Sequence, residues 1–186
     1  MSASTIPASA APESAADAAL VTDYRQGNER AAAELVRRHA PALGRFLYSS
    51  GADRDDVEDL VQETLFRAFR RLDTWHGGAS FRSWLMAIGG NLLRDQFRKR
   101  AGRIVPMEDR DVPDRADPHA DLAAGETEER VRKGIAGLPR LQREVFLLRA
   151  QEGNGYEQIA AALGTTPGAA RVHYHNAVKR LKELVR

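Results

Sequence analysis

Tyr156-Glu157-Gln158-Ile159-Ala160-Ala161-Ala162-Leu163-Gly164-Thr165-Thr166-Pro167 spells a short amphipathic helix, a turn and the start of a second helix. Gly164 suits a left-handed C-terminal cap. Thr166 then serves as the N-cap of the next helix, with Pro167 at its first helical position. The pattern is a helix-turn-helix. Helical projection buries Ala170, Tyr174, Ala177, Val178 and Leu181. Ala169, Val172, Asn176 and Lys179 fall on the opposite side, flanked by Arg171, His173 and His175. A recognition helix reads base edges with its N-terminal half. Ala169, Val172, His173 and Asn176 are therefore base-reading candidates, and Arg171, His175 and Lys179 phosphate contacts, with Thr166 at the same DNA-facing end. Helix pairs of this spacing also occur in proteins that never touch DNA, so both readings stay open on these residues alone.

Further upstream, charge is sorted into blocks. Asp53 to Glu63 carries six acids against Arg54, whereas Arg94 to Arg103 carries five basic residues against Asp95. Net charge is only +2, so the distribution says more than the sum. Within the acidic block, Val57, Leu60, Val61, Thr64, Ala68 and Leu72 follow helical spacing as an apolar stripe. Asp56, Asp59 and Glu63 lie on the other side with Glu58 and Gln62, and Phe66 sits beside them. A solvated helix face and a partner-binding face fit these residues equally well.

A second long helix is expected from Ser80, as N-cap, to Arg100. Phe81, Trp84, Leu85, Ile88 and Leu92 form its core stripe, and Ser83, Ala87 and Gly90, then Asn91, Arg94 and Arg98, share another face. Asn and Arg are side chains that read bases and grip phosphates. Gly89 and Gly90 each cost a helix about 1 kcal/mol relative to alanine. Close approach of DNA and tight helix packing are the two explanations. The preceding loop, Trp75-His76-Gly77-Gly78-Ala79-Ser80, is flanked by aromatics and followed by Arg82, a composition suited to stacking unpaired bases. Trp75 is equally compatible with a core plug.

The whole chain has 186 residues, 29% of them charged and 6% aromatic, and β-branched runs are scarce. The expected class is all-α. Residues 1–21, rich in Ala, Ser and Pro, read as a disordered tail without signal-peptide character. Residues 22–103 form the first folded segment and 126–186 the second. Between them, 104–125 contains Pro106, Pro113 and Pro118 among aspartates, as expected of a flexible linker between independent domains. Absence of cysteine excludes disulfides and thiolate metal sites. The histidines are scattered, and no Walker loop, zinc box or nucleophile elbow occurs, so no metal, cofactor or catalytic residue is expected. No apolar stretch is long enough to enter a bilayer as a span. A cytoplasmic protein is expected.

Taken in order, these segments resemble the sigma-70 family of RNA polymerase sigma factors, in the extracytoplasmic-function group that keeps only regions 2 and 4. Asp56-Val57-Glu58-Asp59-Leu60-Val61-Gln62-Glu63-Thr64 looks like the family's core-binding motif. The resemblance implies that Asp56, Asp59, Gln62 and Glu63, with Phe66 beside them, meet the β′ clamp helices of core RNA polymerase. Phe81-Arg82-Ser83-Trp84-Leu85 with Ile88 and Asn91 looks like the −10 recognition and melting region. Trp75, His76, Ser80, Phe81, Arg82, Asn91, Arg94 and Arg98 are then its promoter-DNA residues. Leu138-Pro139, Arg143 to Leu148 and Tyr156 to Ala160 are similar to region 4, which reads the −35 element and meets the β flap. The fold implied is a region 2 helical bundle and a region 4 helix-turn-helix, and an anti-sigma factor is a further candidate partner. This sequence departs from the family in three places. Gly90 stands where arginine is frequent, Val172, His175 and Asn176 where basic or hydroxyl residues are common, and Leu65-Phe66 inverts the usual Phe-Leu order. The competing classes are a helix-turn-helix regulator that never joins polymerase and a pure interaction module. The regulator reading leaves the acidic helix and aromatic loop without a role.

Overall fold

The computed structural model describes residues 10–100 and 125–184. These residues form eight α-helices and two short 3-10 turns, with no strand among them. Four helices make the first bundle: α1 (Ala10–Arg25), α2 (Glu29–Ser49), α3 (Val57–Arg70) and α4 (Phe81–Arg100). The second unit contains α5 (Gly125–Ala136), α6 (Arg140–Ala150), α7 (Tyr156–Leu163) and α8 (Pro167–Leu184). The all-α expectation holds.

Local chemistry sets the helix boundaries. Asn28 Oδ1 accepts from the Arg30 N–H at the start of α2, and Ser80 Oγ accepts from the Ser83 N–H at the start of α4. Thr166 Oγ1 does the same for the Ala169 N–H at α8. Gly164 ends α7 at φ 66°, where a Cβ would be strained.

Apolar stripes then close the cores. Leu35, Leu43, Phe46 and Leu47 of α2 pack with Leu60, Leu65 and Ala68 of α3 and Phe81, Leu85, Met86 and Leu93 of α4. In the second unit, Val145, Leu147 and Leu148 of α6, Ile159 of α7 and Ala170 and Ala177 of α8 are buried. Leu65 points inward and Phe66 outward, which settles what the inverted Leu-Phe order does here.

One expectation needs correction. The tail expected to be disordered as far as residue 21 is helical from Ala10. Its alanines favour helix, and Val21 and Asp17 are buried against α2. Arg38 Nη1 donates to Asp17 Oδ1 at 2.9 Å, and His39 Nε2 lies 3.0 Å from Asp17 Oδ2. Residues 1–9 lie outside the described residues, as does the expected linker apart from Gly125. The two units also meet across the fold. Helix α4 touches α6 and α7, and α2 touches α5. Arg143 Nη1 donates to the Ser50 carbonyl at 2.8 Å, and Arg132 lies over the Tyr48 ring at 4.8 Å.

Asp17→Ala should reduce the free energy of unfolding by about 3 kcal/mol, because it leaves Arg38 and His39 without their buried carboxylate. Urea denaturation measures this. A change below about 0.5 kcal/mol would mean that α1 is not anchored where Asp17 meets α2.

Candidate functional site

Three surfaces emerge from these elements. The first is the outer face of α3. Asp59 and Gln62 are exposed, and Asp56 and Glu63 half-buried. Gln62 Nε2 reaches Glu58 Oε1 at 3.5 Å, while Arg67 Nε donates to Glu63 Oε1 at 2.6 Å. Phe66 is 57% exposed, its ring 5.6 Å from the Arg70 guanidinium. A large aromatic among carboxylates gives a protein partner both an apolar anchor and charges that orient its approach. Asp56 is already engaged: Arg100 donates to it and to Asp53, which tethers the end of α4 to the start of α3. Those hydrogen bonds hold the Arg100 guanidinium above its usual range. The sequence showed Arg100 only as one member of a basic run. Its partnership depends on helices that meet across the fold.

The second surface is the loop ahead of α4 together with that helix. Trp75 is not a stacking platform in this arrangement. Its ring is buried, Nε1 donates to the Ala79 carbonyl at 3.0 Å, and its edge meets Phe81 at 5.7 Å. Phe81 is also buried, its centroid 5.2 Å from His39. Both rings therefore shape the loop from beneath, and neither is open to a base in this structure. The physical reason is that the loop is short and its aromatics are the nearest apolar groups able to cover the top of the bundle. His76, Gly77 and Gly78 are what the loop exposes. Ser80 is a cap, and Asn91 and Arg98 are exposed along α4. Arg94 is half-buried, and burial together with nearby Arg140 lowers its pKa. Arg82 Nη1 donates to Glu152 Oε2 of the second unit at 2.9 Å.

The third surface is the exposed side of α8. Val172 is 58% exposed, with Arg171, His175, Asn176 and Lys179 also open to solvent. Ala169 and His173 are half-buried, and Thr166 is spent on its cap. Arg171 lies 5.2 Å from the Tyr156 ring, and Tyr174 stacks on Phe146 at 6.0 Å. These contacts fix the rotation of α8 on α6 and α7, so that Val172 and Asn176 project outward together.

One buried group has no place in the sequence-based site. Glu144 of α6 is almost wholly buried, with Arg140 Nε donating to it at 3.1 Å. Burial raises its carboxyl pKa, and Arg140, Arg143 and Arg94 only partly oppose this. No local pattern marks Glu144 as special. Gly90 and Arg94, which complete its environment, come from α4.

Residues 35–103 match the family model for sigma-70 region 2, and residues 128–181 match that for sigma-70 region 4. The chain is 32% identical to the RNA polymerase sigma factor NccH of Alcaligenes xylosoxydans xylosoxydans, over 91% of this chain and 94% of that one. Among solved structures, it is similar to CnrH in complex with the cytosolic domain of CnrY, with a TM-score of 0.70 and 31% identity. That match covers 91% of this chain and 97% of the other. It is also similar to the sigma factor RpoE of Bartonella quintana, solved with the anti-sigma factor NepR, with a TM-score of 0.60 and 28% identity. The coverage there is 82% of this chain and 94% of the other.

Trp75→Ala should destabilise the chain by about 3–5 kcal/mol, as loss of a buried indole does. His76→Ala, on the exposed loop tip, should change stability by less than about 0.5 kcal/mol. Chemical denaturation followed by circular dichroism compares the two. Equal, small effects would return Trp75 to the surface of the loop.

Proposed function

The chain belongs to the sigma-70 family, in its extracytoplasmic-function group, and from that premise we propose how its surfaces divide the work. It is an RNA polymerase sigma factor, a transcription initiation factor and not an enzyme. Residues 22–103 hold core polymerase and the −10 element, residues 126–186 hold the −35 element, and 104–125 tether the two.

The observation that carries this division is an exposed acidic helix, with Phe66 at its centre, in the same chain as a capped helix-turn-helix presenting Val172. Asp59, Gln62, Glu63 and Phe66 meet the β′ clamp helices. Asp56 contributes through its Arg100 tether. On DNA, Arg94 and Arg98 grip the backbone toward the C-terminal end of α4, away from the loop tip at His76, and Asn91 reads an edge. Trp75 and Phe81 keep the loop in shape for an unstacked base. On α8, Val172 and Asn176 face bases, while Arg171, His175 and Lys179 face phosphates, which sets salt dependence more than sequence preference.

Among the described residues no helix is long and apolar enough to cross a membrane. The site of action is the cytoplasm, where polymerase and promoter are. CnrH and RpoE were each solved with a protein partner, the cytosolic domain of CnrY and the anti-sigma factor NepR. A comparable anti-sigma protein is the expected antagonist of this chain.

Reconstitution with core RNA polymerase and a matched promoter tests the function. Run-off transcript should appear only when the chain is present. Combined replacement of Asp59, Glu63 and Phe66 by alanine should weaken core binding by roughly 1 kcal/mol per residue, about a hundredfold in all. The loss should grow smaller at high salt, where steering by charge is already screened. Undiminished core binding by the folded triple variant would remove the acidic face from the polymerase interface.

A further inference from the structure

Helix α1 reaches both ends of the loop that precedes α4. At its C-terminal end, Arg25 Nη2 donates to the Leu72 carbonyl at 2.8 Å and to the Trp75 carbonyl at 3.5 Å. Leu72 and Trp75 bracket the turn that leads from α3 into the loop, and within it the Trp75 N–H donates to the Leu72 carbonyl. Arg25 Nε also lies 3.7 Å from Asp73 Oδ1, but the Asp73 side chain is 98% exposed, so water and salt screen that pair. The bond to Leu72 is the shorter and better shielded contact. Beside Arg25, Tyr24 meets the Phe69 ring edge-on at 5.3 Å, which fixes α1 against the end of α3. At the far end of the loop the line of contact is longer. Asp17 Oδ2 lies 3.0 Å from His39 Nε2, and the His39 ring lies 5.2 Å from Phe81, the first residue of α4. Between these anchors the Trp75 indole spans the loop through its bond to the Ala79 carbonyl.

We propose that α1 is a working part of the −10 site, with Arg25 as a positioning residue that holds the turn from Leu72 to Trp75, so that His76, Gly77 and Gly78 meet an unstacked base in one fixed geometry. A guanidinium suits this task, because its planar fork offers donors to two carbonyls at once. Without it, Leu72 and Trp75 keep their packing, but the turn loses a charged donor. The loop tip then gains freedom that capture of a base has to remove again. Arg25 acts here through the backbone of the turn and touches neither base nor polymerase. The inference rests on reading this loop as the receptor for a melted −10 base.

Open-complex formation by the full chain with core polymerase tests this, read by permanganate reactivity of thymines in the −10 element. Arg25→Ala should lower promoter opening about tenfold, the size expected from losing a hydrogen bond with a charged donor. Arg25→Lys, which keeps a charged donor, should recover part of that loss. Asp73→Ala should open the promoter as wild type does, because it removes the screened ion pair and leaves both carbonyl bonds. Core binding by Arg25→Ala and the salt dependence of its promoter binding should match wild type. Undiminished opening by Arg25→Ala would overturn the proposal. A parallel loss of core binding would also overturn it, by making Arg25 a general structural residue. So would a salt dependence weakened by about one phosphate contact, which would make Arg25 a DNA ligand. A wild-type chain that gives no promoter opening with core polymerase would instead overturn the proposed function.

Discussion

Helix α4 has to satisfy two cores at once. Phe81, Leu85, Met86 and Leu93 belong to the bundle with α2 and α3, and the helix also lies against α6 and α7. Side chains large enough to fill the first core leave little room for the second contact, and small residues resolve the conflict. Gly89 lets α4 approach α2, and Gly90 lets α6 approach α4. The pair costs local helix stability, roughly 1 kcal/mol per glycine, and the burial it permits on both sides offsets that cost. A helix that packs on two partners is also one whose exposed remainder, Asn91 and Arg98, is held in a fixed orientation.

Electrostatics divides the surface in the same way. Carboxylates near the start of α3 are partly neutralised from within by Arg100, and those further along remain exposed around Phe66. A partner therefore meets one restricted acidic and aromatic patch. The buried carboxyl at Glu144 behaves differently. It is far from solvent, surrounded by arginines from two helices, and destabilised by burial even so. A buried carboxyl held this way is weak evidence for stability, because its desolvation opposes the gain from the arginines around it.

Local chemistry made much of the fold legible from sequence. Ser80, Gly164, Thr166 and Pro167 announce helix ends through hydrogen bonds and dihedral limits set by a few neighbouring residues, and all four act as the sequence suggests. What escaped depends on residues distant in the chain. The α1 helix looks like an Ala-rich tail until Asp17 meets Arg38 and His39. Trp75 satisfies both a stacking and a packing reading until the Ala79 carbonyl accepts from its indole. Gly90 advertised an unexplained cost in a helix, but only the fold supplies Glu144 as the reason. Hydrophobic period and caps thus located the candidate surfaces, while the supporting contacts beneath them needed three dimensions.

Energy transfer between dyes on cysteines replacing His76 and Glu157 measures most directly whether α4 packs against both units at once. A Cβ on Gly78 would lie 4.0 Å from Ala161 Cβ in α7. His76 is two residues from Gly78, and Glu157 is one helical turn from Ala161, so the packed chain keeps the labelled backbone sites within about 20 Å. The expected result is high transfer in the free chain that is lost when urea unfolds it. Low transfer in a free chain that circular dichroism shows to be folded would contradict a helix shared by two cores.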